Sequence, residues 1–377
     1  MGTTDSSIVD SARARPGLLL VVLLGGLLLV DLAAKLFGFS ILPFGEAISV
    51  DRLGSNLWNG LVIGLVIGLA GIGLSLTYSI LSFANFSHGD LVSTGAFTGW
   101  GVAFLIAGFG DVPVRTLLSV RDAGSASPGD IGAHILTTPG AILVGLVAAF
   151  VVTAAVALAL DRAFYKPMRD RDGISILIAS IGAALVVRYL LQFVYGSDRR
   201  GITASVDASN VVFGPLGVSI DAHELTIVVA ALGLMLAMHF MLQRTKLGTA
   251  MRAMADNKDL ALITGIPAER VVTATWIIGG GLAGASGYLY VLLRGTIQFD
   301  FGWLLLLLIF AAVILGGIGS VYGAMLGGLL IGMLHELTPL LSDVGLPVSN
   351  AYAPAVAFVI MVAVLLVRPR GIAGDMT

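Results

Sequence analysis

The chain contains no cysteine. That excludes a disulfide framework, a thiolate nucleophile and any thiolate-ligated metal. Charge is scarce as well: Asp, Glu, Lys and Arg together make up 12% of the 377 residues, about half the ~25% of an ordinary soluble domain. A soluble globular protein is therefore excluded. Lysine is confined to Lys35, Lys166, Lys246 and Lys258, so arginine supplies most of the positive charge. The net charge of −2 gives no basic surface that would call for nucleic acid as a partner. No Gly-Lys dipeptide occurs, so the chain has no Walker A loop and cannot itself be an ATPase that uses one.

What is present is apolar. Hydrophobic residues form 57% of the chain and the mean hydropathy is +0.98. Repeated apolar runs long enough for a ~30 Å hydrocarbon core predict an all-α, polytopic integral membrane protein. Spans are expected near 17–38, 57–80, 90–109, 139–164, 174–195, 224–242, 271–293, 303–318, 321–338 and 351–367. The defensible range is about eight to ten helices in a single domain over 1–377. The break Gly316-Gly317-Ile318-Gly319-Ser320 leaves 303–338 open between two spans joined by a tight turn and a kinked re-entrant element. Arg13 and Arg15 precede the first run, but no small-residue cleavage site follows, so an uncleaved span is expected. Forty-nine glycines point to close helix packing, because lipid gives helices no hydrophobic reason to associate. Small-xxx-small rows stand at Gly60/Gly64/Gly68, Gly95/Gly99, Gly280/Gly284 and Gly319/Gly323/Gly327.

Orientation follows from the basic residues. With the N-terminus inside, the inside segments carry thirteen Lys and Arg and the outside segments seven. Both termini, 161–173 and 243–270 are then cytoplasmic, in the cell membrane. The outside loops 110–138 and 196–223 are long and rich in Gly, Ser and Asp.

Several local patterns invite a chemical reading. Asn85-Phe86-Ser87-His88-Gly89-Asp90 joins the second span to the third. Its Asn, Ser, His and Asp can bond unwound backbone and fix a helix break, contact a solute in the pathway, or, at His88, switch with protonation. Arg188 lies inside the fifth span, where it serves as an interfacial anchor or packing partner, or lines the pathway. His223-Glu224 and His335-Glu336 begin zincin-like patterns, but neither has the second His, so no metal site is expected. Gly284-Ala285-Ser286-Gly287 has the look of a rhomboid serine motif, with His335 as base, yet it lacks the flanking glycine pattern and reads better as small-residue packing.

The segment 243–270, QRTKLGTAMRAMADNKDLALITGIPAER, is a hydrophilic, helix-forming, glycine-punctuated stretch between two spans. Within it Asp259-Leu260-Ala261, three residues, Gly265 and Ile266-Pro267 resemble the coupling motif of ABC importer permeases. Asn85–Asp90 resembles the NFAHG-type signature of branched-chain amino acid permeases. Tyr165-Lys166-Pro167-Met168-Arg169, Leu315–Gly328 and Arg368-Pro369-Arg370-Gly371 match the same family in order, from about residue 57 to 371. Ser87 stands where that family usually has alanine, and Asp259 and Leu260 stand where its coupling motif has Glu and a small residue. The resemblance implies a non-catalytic permease subunit for ATP-driven uptake of branched-chain amino acids. It also implies a second related permease, an external solute-binding protein and two ATPase subunits that hold ATP and Mg, with no cofactor in this chain. On the same resemblance Asp259, Leu260, Ala261, Gly265, Ile266 and Pro267 would dock the ATPase. Alternatives are a permease for urea, amides or simple sugars, and an ion-coupled secondary transporter, which should show buried carboxylates or matched broken helices in two halves.

Overall fold

The computed structural model describes residues 49–110, 133–169, 171–203, 210–213, 218–342 and 350–373, with Val30, Asp31, Ala34 and Ile131 besides. All but three residues of the expected first span, 17–38, and most of the 110–138 loop lie outside the described residues. The helices are α1 (Val50–Leu81), α2 (His88–Ala107), α3 (Pro139–Leu160), α4 (Gly173–Tyr195), α5 (Ala222–Arg244), α6 (Lys246–Asp256), α7 (Lys258–Ile263), α8 (Ala268–Arg294), α9 (Phe301–Gly316), α10 (Val321–Leu337) and α11 (Ala353–Val367). Seven helices among the described residues are long and apolar enough to cross a bilayer, and α9 and α11 are shorter apolar helices. Four short strands form two antiparallel ribbons: β1 (Arg200–Gly201) with β4 (Thr296–Ile297), and β2 (Asn210–Phe213) with β3 (Val218–Asp221). These ribbons are short departures from an otherwise helical set of described residues.

Helix α1 is the axis of the bundle: 94% of its most apolar window is buried, against 28% for α5 and 33% for α4. It starts where Ser49 accepts the Arg52 N–H at 3.3 Å and Asp51 faces the positive helix end. Glycine lets neighbours close on it. A Cβ on Gly64 would stand 2.9 Å from the Leu329 Cα, and one on Gly328 would stand 2.3 Å from the Gly68 Cα. Gly60 meets Met333 and Gly332 along the same seam, so α1 and α10 run antiparallel in backbone contact.

The row expected at Gly319/Gly323/Gly327 is divided. Gly319 lies in the turn, with φ +88°, while Gly323 and Gly327 pack on Gly316 and Ala312 of α9. The glycines of α10 that face α1 are instead Gly328 and Gly332, one helical step round. Gly95 packs on Gly284, Gly99 on Tyr288, and Gly280 and Gly284 on Ala157 and Thr153, which joins α2, α8 and α3. Residues 303–338 are two helices, α9 and α10, folded as an antiparallel hairpin around Gly317–Ser320.

The loops sort to two ends. At one end Ser79, Ser82, Arg252, Ile318 and Tyr322 line a shared cavity of about 750 Å³. At that end also, the Ile372 and Ala373 N–H groups donate to the carbonyls of Leu315 and Gly316 at 2.9 and 3.0 Å. At the other end β1 pairs with β4, the Trp58 Nε1–H donates to Glu224 at 2.8 Å, and the His134 and His223 rings meet edge to face at 4.3 Å. Asp221 and Glu224 cap α5 there as a reciprocal box. Burial holds the His134 imidazole below its ordinary value, opposed by Asp221. The segments grouped by their basic residues, 161–173, 243–270 and the chain end through Ala373, therefore share one end of the bundle.

The α1–α10 seam predicts a contrast. Gly328→Val must push the backbones of α1 and α10 apart and should lower the thermal midpoint of the purified protein, at a cost above the about 1–3 kcal/mol of ordinary overpacking. Gly233→Ala, where a Cβ meets nothing within 4 Å, should leave the midpoint unchanged or slightly higher. Equal midpoints for the two variants would show that the seam does not hold the bundle.

Candidate transport pathway and coupling segment

Helix α1 ends abruptly. Ser82 adopts φ 58°, the only positive φ outside glycine among the described residues, and its N–H closes on the Tyr78 carbonyl at 2.8 Å. The chain then turns back into the bundle. His88, the first residue of α2, bonds through Nε2 to the Ala70 carbonyl at 2.9 Å, roughly 16 Å before the end of α1 at ~1.5 Å per residue. Residues 82–87 are thus non-helical backbone running inside a membrane protein, which requires partners from side chains.

Those partners are the motif's own residues and two from elsewhere. Asn85 Oδ1 accepts the Ser87 N–H at 3.1 Å and the Ser87 hydroxyl at 2.7 Å, an Asx-type turn. The Tyr165 hydroxyl lies 3.2 Å from the same oxygen and 2.7 Å from the Ser87 hydroxyl, so the two hydroxyl protons are shared among three close oxygens. The Phe86 N–H donates to Ser180 Oγ on α4 at 3.0 Å. Asn85, Ser87, His88 and Asp90 are all buried. Among the described residues Asn85 Nδ2 is left without a partner. Ordering of a helix break is the role the geometry gives directly to Asn85 and Ser87.

Asp90, in the first turn of α2, is fully enclosed and carries a full ion pair. Arg188 on α4 donates Nε–H and Nη2–H to its two oxygens at 3.0 and 2.9 Å, a bidentate fork. The guanidinium lies 4.6 Å over the Trp303 ring of α9. Phe86 stands 6.3 Å from Trp303 and 5.1 Å from Phe310, centroid to centroid. Arg188 is therefore no interfacial anchor; it is the partner of a carboxylate inside the bundle. Its side chain keeps 13% exposure, on a face bordered by Phe86, Trp303 and Phe310, all half-buried.

Tyr165 is a member of this site that its own position in the sequence does not reveal. Its ring stacks on Trp276 of α8 at 5.0 Å and 9°, and lies 5.3 Å from Phe83. The family-like run Tyr165–Arg169 is the only sequence signal near it.

At the same end of the bundle lies 243–270, folded as two short helices. Thr245 Oγ1 caps α6 and Asn257 Oδ1 caps α7. Gly265 follows α7 with φ +85°. The Gly265 N–H bonds to the Leu262 carbonyl and the Ile266 N–H to the Ala261 carbonyl, both at 3.0 Å. That is a Schellman cap, in which glycine alone avoids strain. Ala261 is buried against the bundle, while Leu260, Leu262 and Ile263 project outward, Ile263 with 82% exposure. Pro267 then sets the start of α8.

The enzyme-like patterns come apart. Ser286 is buried and donates to the Ala283 carbonyl at 2.8 Å, whereas His335 pairs with Glu336 at 3.0 Å. No group of three metal-ligating side chains occurs among the described residues.

A glycine-seamed bundle of membrane-spanning helices, a broken helix with buried charge, and a hydrophilic capped segment at one end define a multi-pass membrane transport protein. Residues 56–365 match the family described as "Branched-chain amino acid transport system / permease component", and the chain belongs to that family. It is 30% identical to the high-affinity branched-chain amino acid transport system permease protein BraD of Pseudomonas aeruginosa, over 85% of this chain and 95% of that one. It is 28% identical to LivH of Escherichia coli, over 85% and 94%. The ribose import permease protein RbsC of Escherichia coli is similar over a shorter stretch, 28% identical across 68% of this chain and 76% of its own. No solved structure matches.

The Asp90–Arg188 pair yields a prediction. Removing one partner strands the other charge in the bundle, at a cost of about 3–5 kcal/mol. Arg188→Leu should therefore lower the thermal midpoint sharply, and adding Asp90→Asn should restore much of it. A double variant no more stable than Arg188→Leu would show that the two groups are not energetically paired.

Proposed function

We propose that the chain is the membrane permease subunit of an ATP-driven importer for branched-chain amino acids. It would work with a second, related permease, two ABC ATPase subunits that hold ATP and Mg, and an external solute-binding protein. The observation that carries this reading is the α6–α7 segment. It is hydrophilic overall and capped rigidly at both helix starts and at Gly265, and it presents Leu260, Leu262 and Ile263 away from its own bundle. Exposed leucine and isoleucine on an otherwise polar loop need a protein partner. The family membership supports an ATPase in that place, with Asp259, Leu260, Ala261, Gly265, Ile266 and Pro267 forming the docking element.

Closure of the ATPases would push on α7. The push enters α8 through Pro267, with no flexible linker between. Helix α8 packs on α1, α2 and α3 through its glycine faces, so its displacement moves the walls around the 82–87 break. The cavity between α6, the end of α1 and the Gly317–Ser320 turn gives the segment room to shift. Asn85, Ser87, His88 and Asp90, with Arg188, would border the pathway that opens and closes. Selectivity would rest mainly with the external binding protein.

With no native cysteine, orientation is directly testable in cells. Lys258→Cys should resist a membrane-impermeant maleimide added outside, and Arg199→Cys, on the exposed segment before β1, should react. External labelling at position 258 would reverse the orientation and remove the coupling role.

Gly265→Val tests the docking element itself. Strain at the cap should cost about 1 kcal/mol of stability, too little to unfold the bundle, and the side chain meets open space. Membrane insertion should stay normal while uptake of leucine by the complete importer is lost, because α7 is re-aimed. Wild-type uptake by Gly265→Val would exclude this segment as the coupling element.

A further inference from the structure

The end of α3 is built unlike any other helix end in the described residues. Where α3 stops at Leu160 the chain winds on as a π-helical turn, Asp161–Tyr165, and then tightens to a 3-10 turn, Lys166–Met168. A π turn followed at once by a 3-10 turn is poor in hydrogen-bond geometry and is often kept at functional sites. Here it is held by side chains at both ends.

At its outer edge the clamp is a single guanidinium. Arg169 Nη2 donates to both oxygens of Asp161 at 2.9 and 2.8 Å, and its Nη1 donates to Glu269 Oε1 at 2.7 Å. Lys166 Nζ adds a contact to Glu269 Oε2 at 3.4 Å. Asp161 is buried, with 5% side-chain exposure, whereas Glu269 is 59% exposed. Glu269 stands in the first turn of α8, two residues past Pro267, where the coupling segment ends. At its inner edge the turn presents Tyr165, stacked on Trp276 of the same α8 and bonded by its hydroxyl to Asn85 and Ser87. The turn thus grips α8 at two heights and the helix break at a third point.

We propose that this π turn is a second coupling element, with Arg169 and Tyr165 as positioning residues that carry displacement of α8 to the 82–87 break. The inference rests on the reading that 243–270 docks the ATPase. Packed helices move as rigid bodies, so a shift of α8 is felt at Glu269 and Trp276 together. Arg169, a planar fork fixed on Asp161, transmits it to the turn. The Tyr165 hydroxyl passes it to Asn85 Oδ1, the acceptor around which the break is folded. A merely structural clasp predicts something different. Its exposed half, the pair with Glu269, would contribute little to stability or to function.

The test uses the complete importer in proteoliposomes, reading leucine taken up per ATP hydrolysed, with thermal stability beside it. Tyr165→Phe keeps the ring stack and removes the hydroxyl; Glu269→Gln removes the charge at an exposed site. Both complexes should assemble, keep near-wild-type midpoints and hydrolyse ATP, while uptake per ATP falls by about fivefold or more, the lower range of typical couplings. The double variant should be no worse than the poorer single, because both act on one route. Wild-type uptake per ATP in Glu269→Gln overturns the proposal, even where Tyr165→Phe fails to assemble. Losses that multiply in the double variant overturn it too, since they mark independent effects. Gly265→Val separates the two levels. If Gly265→Val is inactive while Glu269→Gln is wild type, the docking reading stands and the π turn fails. If Gly265→Val transports normally, the docking reading itself is lost.

Discussion

Backbone that leaves the helix inside a membrane protein has no water to fall back on, and the arrangement of this bundle follows from that constraint. Residues 82–87 turn back alongside α1, and polar groups there are met by fixed partners: Asn85 and Ser87 within the turn, Ser180 on α4, Tyr165 at the end of α3, and the Ala70 carbonyl for His88. Outside the turn itself, these partners come from α1, α4 and the end of α3. The break therefore cannot form until those helices are in place, and it cannot shift without moving them. Glycine makes the assembly dense enough for this, because α1 is gripped on separate faces by α10 and α8 through backbone contacts that a methyl group would block.

Charge inside the bundle is handled by the same rule. Asp90 and Arg188 neutralise one another through two hydrogen bonds, and Trp303 covers the guanidinium face. Asp161 and Arg169 repeat the arrangement at the coupling end, where Glu269 joins them. Asp90 and Arg188 link helices far apart in sequence, and Arg169 joins Asp161 of its own turn to Glu269 on α8. Such pairs add little net stability compared with apolar packing, so their value lies in fixing which helix faces which. A transporter that must hold one of two defined arrangements has use for register of that kind.

Much of this was legible in the residues. Hydropathy located each apolar helix within the described residues, and the basic residues grouped 161–173 with 243–270, which the Arg169–Glu269 pair joins in the structure. The Asp259–Pro267 pattern marked the segment that the structure folds as a short helix capped at Gly265, whose φ is left-handed. Less was legible where two elements had to meet. Arg188 reads as an interfacial anchor, a packing partner or a pathway residue, because nothing in its own span names Asp90 as a partner. The glycine row read along α10 falls one helical step from the face that meets α1, since glycines at 319, 323, 327, 328 and 332 satisfy more than one small-xxx-small register. Trp276 carries no signal of its own, Tyr165 only its place in the family-like run 165–169, and Glu269 only its place in 243–270.

By itself, then, the sequence determined the class of protein and the apolar helices, because each depends on a local period or on transfer from water to lipid. The tertiary structure decided that the 82–87 backbone re-enters the bundle, that Asp90 belongs to Arg188, and that one tyrosine hydroxyl joins the end of α3 to the break. Those facts depend on which surfaces approach within a hydrogen-bond length. In lipid that choice is made by backbone shape and buried polar pairing rather than by hydrophobicity, which is uniform along the helices.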